Sequence, residues 1–275
     1  MRRFALALVL TMVLASAGLA QPGPPVLAPG RWFTVTFPDL PPTLFNLMTR
    51  RTDPVQMTVF LPRNYDLQRQ HPLLLLLNGG DGGNASNPVI ARTLSEEQDF
   101  ICVALPLFKI TLDPNAPQNK PPVMVVRAAD GQYAWPFYRA MLAKLDEVVP
   151  NIDQARQILG GFSNGAHATA ALLDGSAGEA ARRFSAFMFV EGGGGLEHYE
   201  LLAGKPLLML SSNAKSLPRA TEIADTARAA GALTTLIFED IGQHGFPPAS
   251  YPAVRAWLRG PASGLAPLEA EGGME

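Results

Sequence analysis

The chain has 275 residues, 47% of them hydrophobic and 17% charged, with a formal net charge of -2. That balance suits one large or two small buried cores and excludes a disordered chain. No cluster of Lys and Arg offers a surface for nucleic acid or an anionic membrane, so neither is an expected partner.

Residues 1–20 read as a secretory signal. Arg2 and Arg3 form a basic start, an apolar run over 4–14 is broken by Thr11, and small residues lead to Ala20. The run is too short to cross a bilayer. Cleavage after Ala20 is expected, with a secreted or periplasmic location and no membrane attachment afterwards. Residues 21–30, rich in Pro and Gly, read as a linker. The lone cysteine, Cys102, cannot form an intrachain disulfide. It lies in an apolar run, where a buried, inert thiol is expected.

Alternating aromatic and β-branched residues predict a strand over 31–37, and 56–61 predicts a second, ended by Pro62. Residues 73–77 and 100–105 are short continuous apolar runs, the pattern of parallel strands buried on both faces. Segments 157–160, 187–190, 207–210 and 233–238 continue the series. Phe137, Met141, Leu142, Leu145, Val148 and Val149 repeat at helical spacing before Pro150. Further helices are predicted over 166–173, 221–230 and 251–258. The alternation implies a mostly parallel central sheet with helices on both faces. The first two strands, with no helix between them, form an antiparallel N-terminal edge. One domain is expected over 31–260, followed by a small, acidic, mobile tail over 261–275. Residues 107–134 lack periodicity and predict a loop near the site.

The chemistry gathers around Gly161-Phe162-Ser163-Asn164-Gly165, between an apolar strand and a small-residue helix. A serine at such a strand-to-helix turn takes up a strained backbone with its hydroxyl exposed at the sheet's end. A hydroxyl is a weak nucleophile and needs an imidazole to take its proton. Of four histidines, His71 precedes a central strand, at the wrong end, and His167 lies on the helix that Ser163 opens. His198 is in a polar loop. His244 follows the last strand, on the same edge of a parallel sheet as the serine turn, and is the expected base. The developing oxyanion needs donors. The turn offers the Asn164 N–H, and the glycine-rich loop over 78–83 offers a second, with Gly80 first in line.

These residues resemble the α/β-hydrolase superfamily, and within it the secreted feruloyl-esterase-like and polyhydroxyalkanoate-depolymerase-like branch. The likeness is carried by Asp153, Arg156, Ile158, Leu159 and Gly161 to Gly165, by Leu77-Asn78-Gly79-Gly80, and by the order of serine before histidine. It covers roughly residues 55–260 and implies an α/β-hydrolase fold. It makes Ser163 the nucleophile, His244 the base, and Gly80 and Asn164 the oxyanion donors. Asn78 departs from the usual histidine before those glycines, and Ala166 stands where a second glycine is frequent. The largest departure is at the acid, which usually follows the penultimate strand. Here that loop, 211–216, holds no carboxylate.

Glu191, which ends the strand over 187–190 and precedes a run of four glycines, is the first candidate acid. Glu239 and Asp240 are nearer His244 in sequence but tightly tethered, and Asn213 could orient the imidazole without supplying charge. The expected function is an exported serine esterase working through an acyl-enzyme on a small-molecule or polymer-derived ester. No cofactor or metal is expected, since no HExxH or cysteine pair is present. The alternative is a catalytically weak or inactive binding protein on the same fold, which the acid-free loop and Asn78 favour.

Overall fold

A computed structural model describes residues 25–40, 54–80, 88–108 and 128–263. The expected signal over 1–20, residues 109–127 of the expected loop, and the tail beyond 263 lie outside them. The described residues form one eight-stranded sheet. Its strands are β1 (Trp32–Phe37), β2 (Val55–Phe60), β3 (His71–Leu77), β4 (Ile101–Leu105), β5 (Ile152–Phe162), β6 (Ala186–Val190), β7 (Pro206–Ser211) and β8 (Leu233–Phe238). The spatial order is β1-β2-β4-β3-β5-β6-β7-β8. β1 and β2 pair antiparallel, as do β2 and β4, and every other pairing is parallel. The mostly parallel sheet with an antiparallel N-terminal edge is thus as expected.

Among the described residues six α-helices flank the sheet: α1 (Val89–Ser95), α2 (Gly131–Val148), α3 (Asn164–Gly175), α4 (Glu179–Arg183), α5 (Leu217–Ala229) and α6 (Tyr251–Arg259). The five leucines of β3 show why both faces need cover. Leu73, Leu75 and Leu77 join the core under α2, α3 and α5, while Leu74 and Leu76 join the core under α1 and α6. Burying each contributes about 2 kcal/mol. The helix expected from Phe137 onward begins earlier, at Gly131, and carries Pro136 inside it. A Cβ at Gly131 would lie 1.7 Å from Ala171 O, and one at Gly175 would lie 2.1 Å from Gln132 N. Two glycines therefore let α2 and α3 cross at backbone contact. β5 also starts earlier than its apolar run, at Ile152, through a stretch carrying Asp153, Gln154 and Arg156.

The register levels the strand ends on the side where the helices begin. Leu77 pairs with Gly161, Phe162 with Val190, and Ser211 with Phe238. The residues that follow these positions share one edge of the sheet. Among the described residues, no helix is long and apolar enough to cross a membrane.

Candidate active site

Ser163 is the single residue between β5 and α3 and adopts φ 56°, ψ -121°. Positive φ is costly for a residue with a Cβ, so the surroundings must enforce it. The Ser163 N–H donates to Val190 O at 2.8 Å, and its carbonyl accepts from Ala166 N–H at 2.9 Å. The flanking glycines are sterically required: a Cβ at Gly161 would lie 2.2 Å from Gly165 C, and one at Gly165 would lie 1.9 Å from Leu77 O. Gly192 makes a third close approach, since its Cβ would meet Ser163 O at 2.6 Å and Ala166 Cβ at 2.8 Å. That contact accounts for a small residue at 166 and for the first glycine after Glu191.

The structure brings together Ser163, His244 and Glu191, the first-named nucleophile, base and acid of the sequence reading. His244 Nε2 lies 2.8 Å from Ser163 Oγ, and His244 Nδ1 lies 2.9 Å from Glu191 Oε2. Glu191 directly follows β6 and, like Ser163, has positive φ, at 52°. Its side chain is 1% exposed, while that of His244 is 52% exposed. With the Nδ1 proton donated to a buried carboxylate, Nε2 is left as an acceptor for the serine hydroxyl. The imidazole also stacks on Phe162, with centroids 5.3 Å apart and planes at 25°. Phe246 stacks on Phe162 in turn, at 6.4 Å.

The loop after β7 does not replace the acid. Asn213 Nδ2 donates to Glu191 Oε2 at 3.1 Å, so Asn213 supports the carboxylate. Ser216 Oγ donates to Glu191 Oε1 at 2.8 Å, and the Ser212 N–H donates to the same oxygen. The Ser212 hydroxyl donates to Gln243 O at 2.9 Å and accepts from Gly245 N–H at 3.1 Å, gripping both sides of His244. Asp240 is occupied by its own turn, accepting from Gly242 N–H at 2.8 Å. Sequence reasoning missed Ser212, Ser216 and Phe162. The one available signal was the density of Ser and Asn after β7, residue types that hold backbone groups.

Gly79 and Gly80 pass beside the serine turn. A Cβ at Gly79 would lie 2.9 Å from Ser163 Cβ, and Gly80 O accepts from Asn164 Nδ2 at 3.1 Å. Asn164 opens α3, whose N-terminal dipole favours negative charge at this point. The other histidines lie elsewhere. His71 is buried, with Nδ1 3.1 Å from Asp99 O. His167 Nδ1 is 3.1 Å from Gly194 O, and His198 Nδ1 is 3.0 Å from Glu200 Oε1. Cys102 is buried, and burial pushes its thiol up to about 12, an inert state. Among the described residues, no group of His, Cys, Asp and Glu could hold a metal ion.

No protein-family model matches the sequence. No curated protein sequence matches it either. Solved structures do match in shape. A hyperthermophilic esterase from Pyrobaculum calidifontis aligns with a TM-score of 0.56 at 14% identity, over 84% of this chain and 86% of that one. A thermostable carboxylesterase cloned from a metagenomic library aligns with a TM-score of 0.54 at 15% identity, over 87% and 91%. A ferulic acid esterase aligns with a TM-score of 0.50 at 15% identity, over 83% and 97%. At such identities the likeness is one of architecture, and with the strand order above it gives the chain the α/β-hydrolase fold.

Proposed function

We propose that this chain is an exported serine hydrolase acting on carboxylic esters through an acyl-enzyme. The observation that carries the reading is the unbroken hydrogen-bonded line from Ser163 Oγ through His244 to Glu191, at 2.8 and 2.9 Å. In this reading Ser163 Oγ attacks the ester carbonyl as its proton passes to His244 Nε2. Glu191 stabilises the imidazolium so formed. The backbone N–H groups of Gly80 and Asn164 hold the oxyanion at the start of α3. The imidazolium gives its proton to the departing alcohol, and the same groups then activate water to release the acid. No step calls for a cofactor.

Ester chemistry, as against amide chemistry, is supported by the fold neighbours, which are described as esterases. Export is supported by the basic start and apolar run of residues 1–20. The rival reading, an inactive binding protein, rests on the acid-free loop after β7 and on Asn78; the Glu191 carboxylate 2.9 Å from His244 Nδ1 weighs against the first of these. A fluorophosphonate probe tests the proposal. Labelling should occur at Ser163 in the folded chain and vanish in Ser163→Ala, and p-nitrophenyl acetate should be hydrolysed. A folded chain that neither labels nor hydrolyses would falsify it.

A further inference from the structure

Three donors from the loop after β7 converge on the two oxygens of Glu191, in addition to His244. They are the Ser212 N–H, the Ser216 hydroxyl and the Asn213 amide. Their aim is set by contacts that do not involve Glu191. Asn213 Oδ1 accepts from Lys215 N–H at 3.0 Å and Ser216 N–H at 3.1 Å, which turns its NH2 toward the acid. Ser216 Oγ lies 2.7 Å from Ser211 Oγ, and Asn213 O lies within 3.2 Å of both hydroxyls; with Ser211 donating to Ser216, the single Ser216 proton goes to Glu191 Oε1 at 2.8 Å, a shorter and charged acceptor than Asn213 O at 3.1 Å. The same loop holds the base, through the Ser212 hydroxyl on the residues either side of His244 and through Ile241 N–H on Ser212 O at 2.9 Å.

We propose that residues 211–216 form a preassembled receptor for a carboxylate. Asn213 and Ser216 are positioning residues for the acid, and Ser212 is one for the base. Because the donors are fixed by their own loop, the receptor takes a free small carboxylate as well as one tethered at position 191. Its catalytic consequence rests on the hydrolase reading, whereas its binding consequence does not.

Glu191→Ala empties the receptor and leaves its donors. Sodium formate is the probe, with sodium chloride at equal ionic strength as the control. Formate should raise the thermal midpoint of Glu191→Ala. It should also restore p-nitrophenyl acetate turnover on the order of tenfold or more, out of a loss of about 10⁴. Both effects should shrink severalfold in Glu191→Ala/Asn213→Ala/Ser216→Ala, where only the Ser212 N–H and His244 remain to hold the anion. Equal effects in that triple variant, or none in folded Glu191→Ala, overturn the proposal. If Glu191→Ala does not fold, Asn213→Ala and Ser216→Ala are made with Glu191 in place. Each should lower kcat roughly tenfold with KM unchanged, and unchanged kcat overturns the proposal. A folded native chain that turns over no ester, while Glu191→Ala still gains stability from formate, removes the hydrolase reading and leaves the receptor standing.

Discussion

Replacing Glu191 with glutamine keeps its size and removes its charge, so the consequence can be worked out from the donors around it. Oε1 receives the Ser212 N–H, which can only donate, and the Ser216 hydroxyl. The new side chain must therefore place its carbonyl oxygen there, which turns its NH2 toward His244 Nδ1. Asn213 cannot rotate to accept that NH2 without abandoning the Lys215 and Ser216 N–H groups. The imidazole is left to accept at Nδ1 and carry its proton on Nε2, aimed at Ser163 Oγ. In that tautomer it cannot take the serine proton. In a serine triad on another fold the matching exchange of acid for amide lowers kcat about 10⁴-fold, or about 5.5 kcal/mol of barrier. The same order is expected here, with KM little changed. Folding should survive, because the exchange is isosteric and its main cost is the Asn213 NH2 left facing another NH2, about 1–3 kcal/mol. Initial rates on p-nitrophenyl acetate, with a thermal midpoint as the check on folding, test it. A folded Glu191→Gln retaining more than about a tenth of native kcat would refute the assignment of tautomer control to Glu191.

Further perturbations have definite outcomes. Phe162→Leu removes the ring beneath His244, and loss of a stacked pair at about 0.5–1.5 kcal/mol should slow kcat roughly two- to tenfold. An unchanged rate would show the stack to be incidental. Gly165→Ala drives a Cβ to 1.9 Å from Leu77 O and should abolish soluble folded protein, read by expression and circular dichroism. Near-native melting would contradict the steric account of the turn. Cys102, with its thiol raised to about 12 by burial, should resist iodoacetamide in the folded chain and react once the chain is unfolded in guanidinium. Rapid native-state labelling, followed by mass spectrometry, would argue against its burial.

Much of this arrangement was legible from the residues. Every expected strand is present, because short runs such as Leu73 to Leu77 have no place in an α/β chain except a doubly covered sheet. Ser163, His244 and Glu191 each follow the end of a strand, and parallel pairing puts those ends together. What escaped has identifiable causes. α1 is only seven residues long, too short for periodicity to declare it. The early part of β5 is polar and its pairing with β3 is irregular, jumping from His71 with Ile152 to Leu73 with Gln157, so no apolar signature marks it. The start of α2 is disguised by Gly131, whose value lies in the contact with α3 that its missing side chain permits. The loop after β7 looked deficient because it lacks a carboxylate, yet it supplies donors that complement one arriving from β6. Which atom of Asn213 faces which neighbour is decided by its own turn, and residue identity alone does not encode that.

The register of β5 on β6 has a consequence for how this protein can change. Phe162 and Val190 are partners across the two strands, and the hydroxyl and the acid belong to the very next residue of each. The loop after β7 aims the acid, but the main-chain spacing of the two groups is inherited from strand pairing and not from the remaining connecting segments. Insertions in those segments can reshape what is admitted to the rim while the distance between the two groups stays fixed. A single deletion inside either strand does the reverse: it leaves the entrance intact and swings one group to the opposite face. Tolerance to mutation is thus concentrated in the connections other than the loop after β7, and two adjoining strands have almost none.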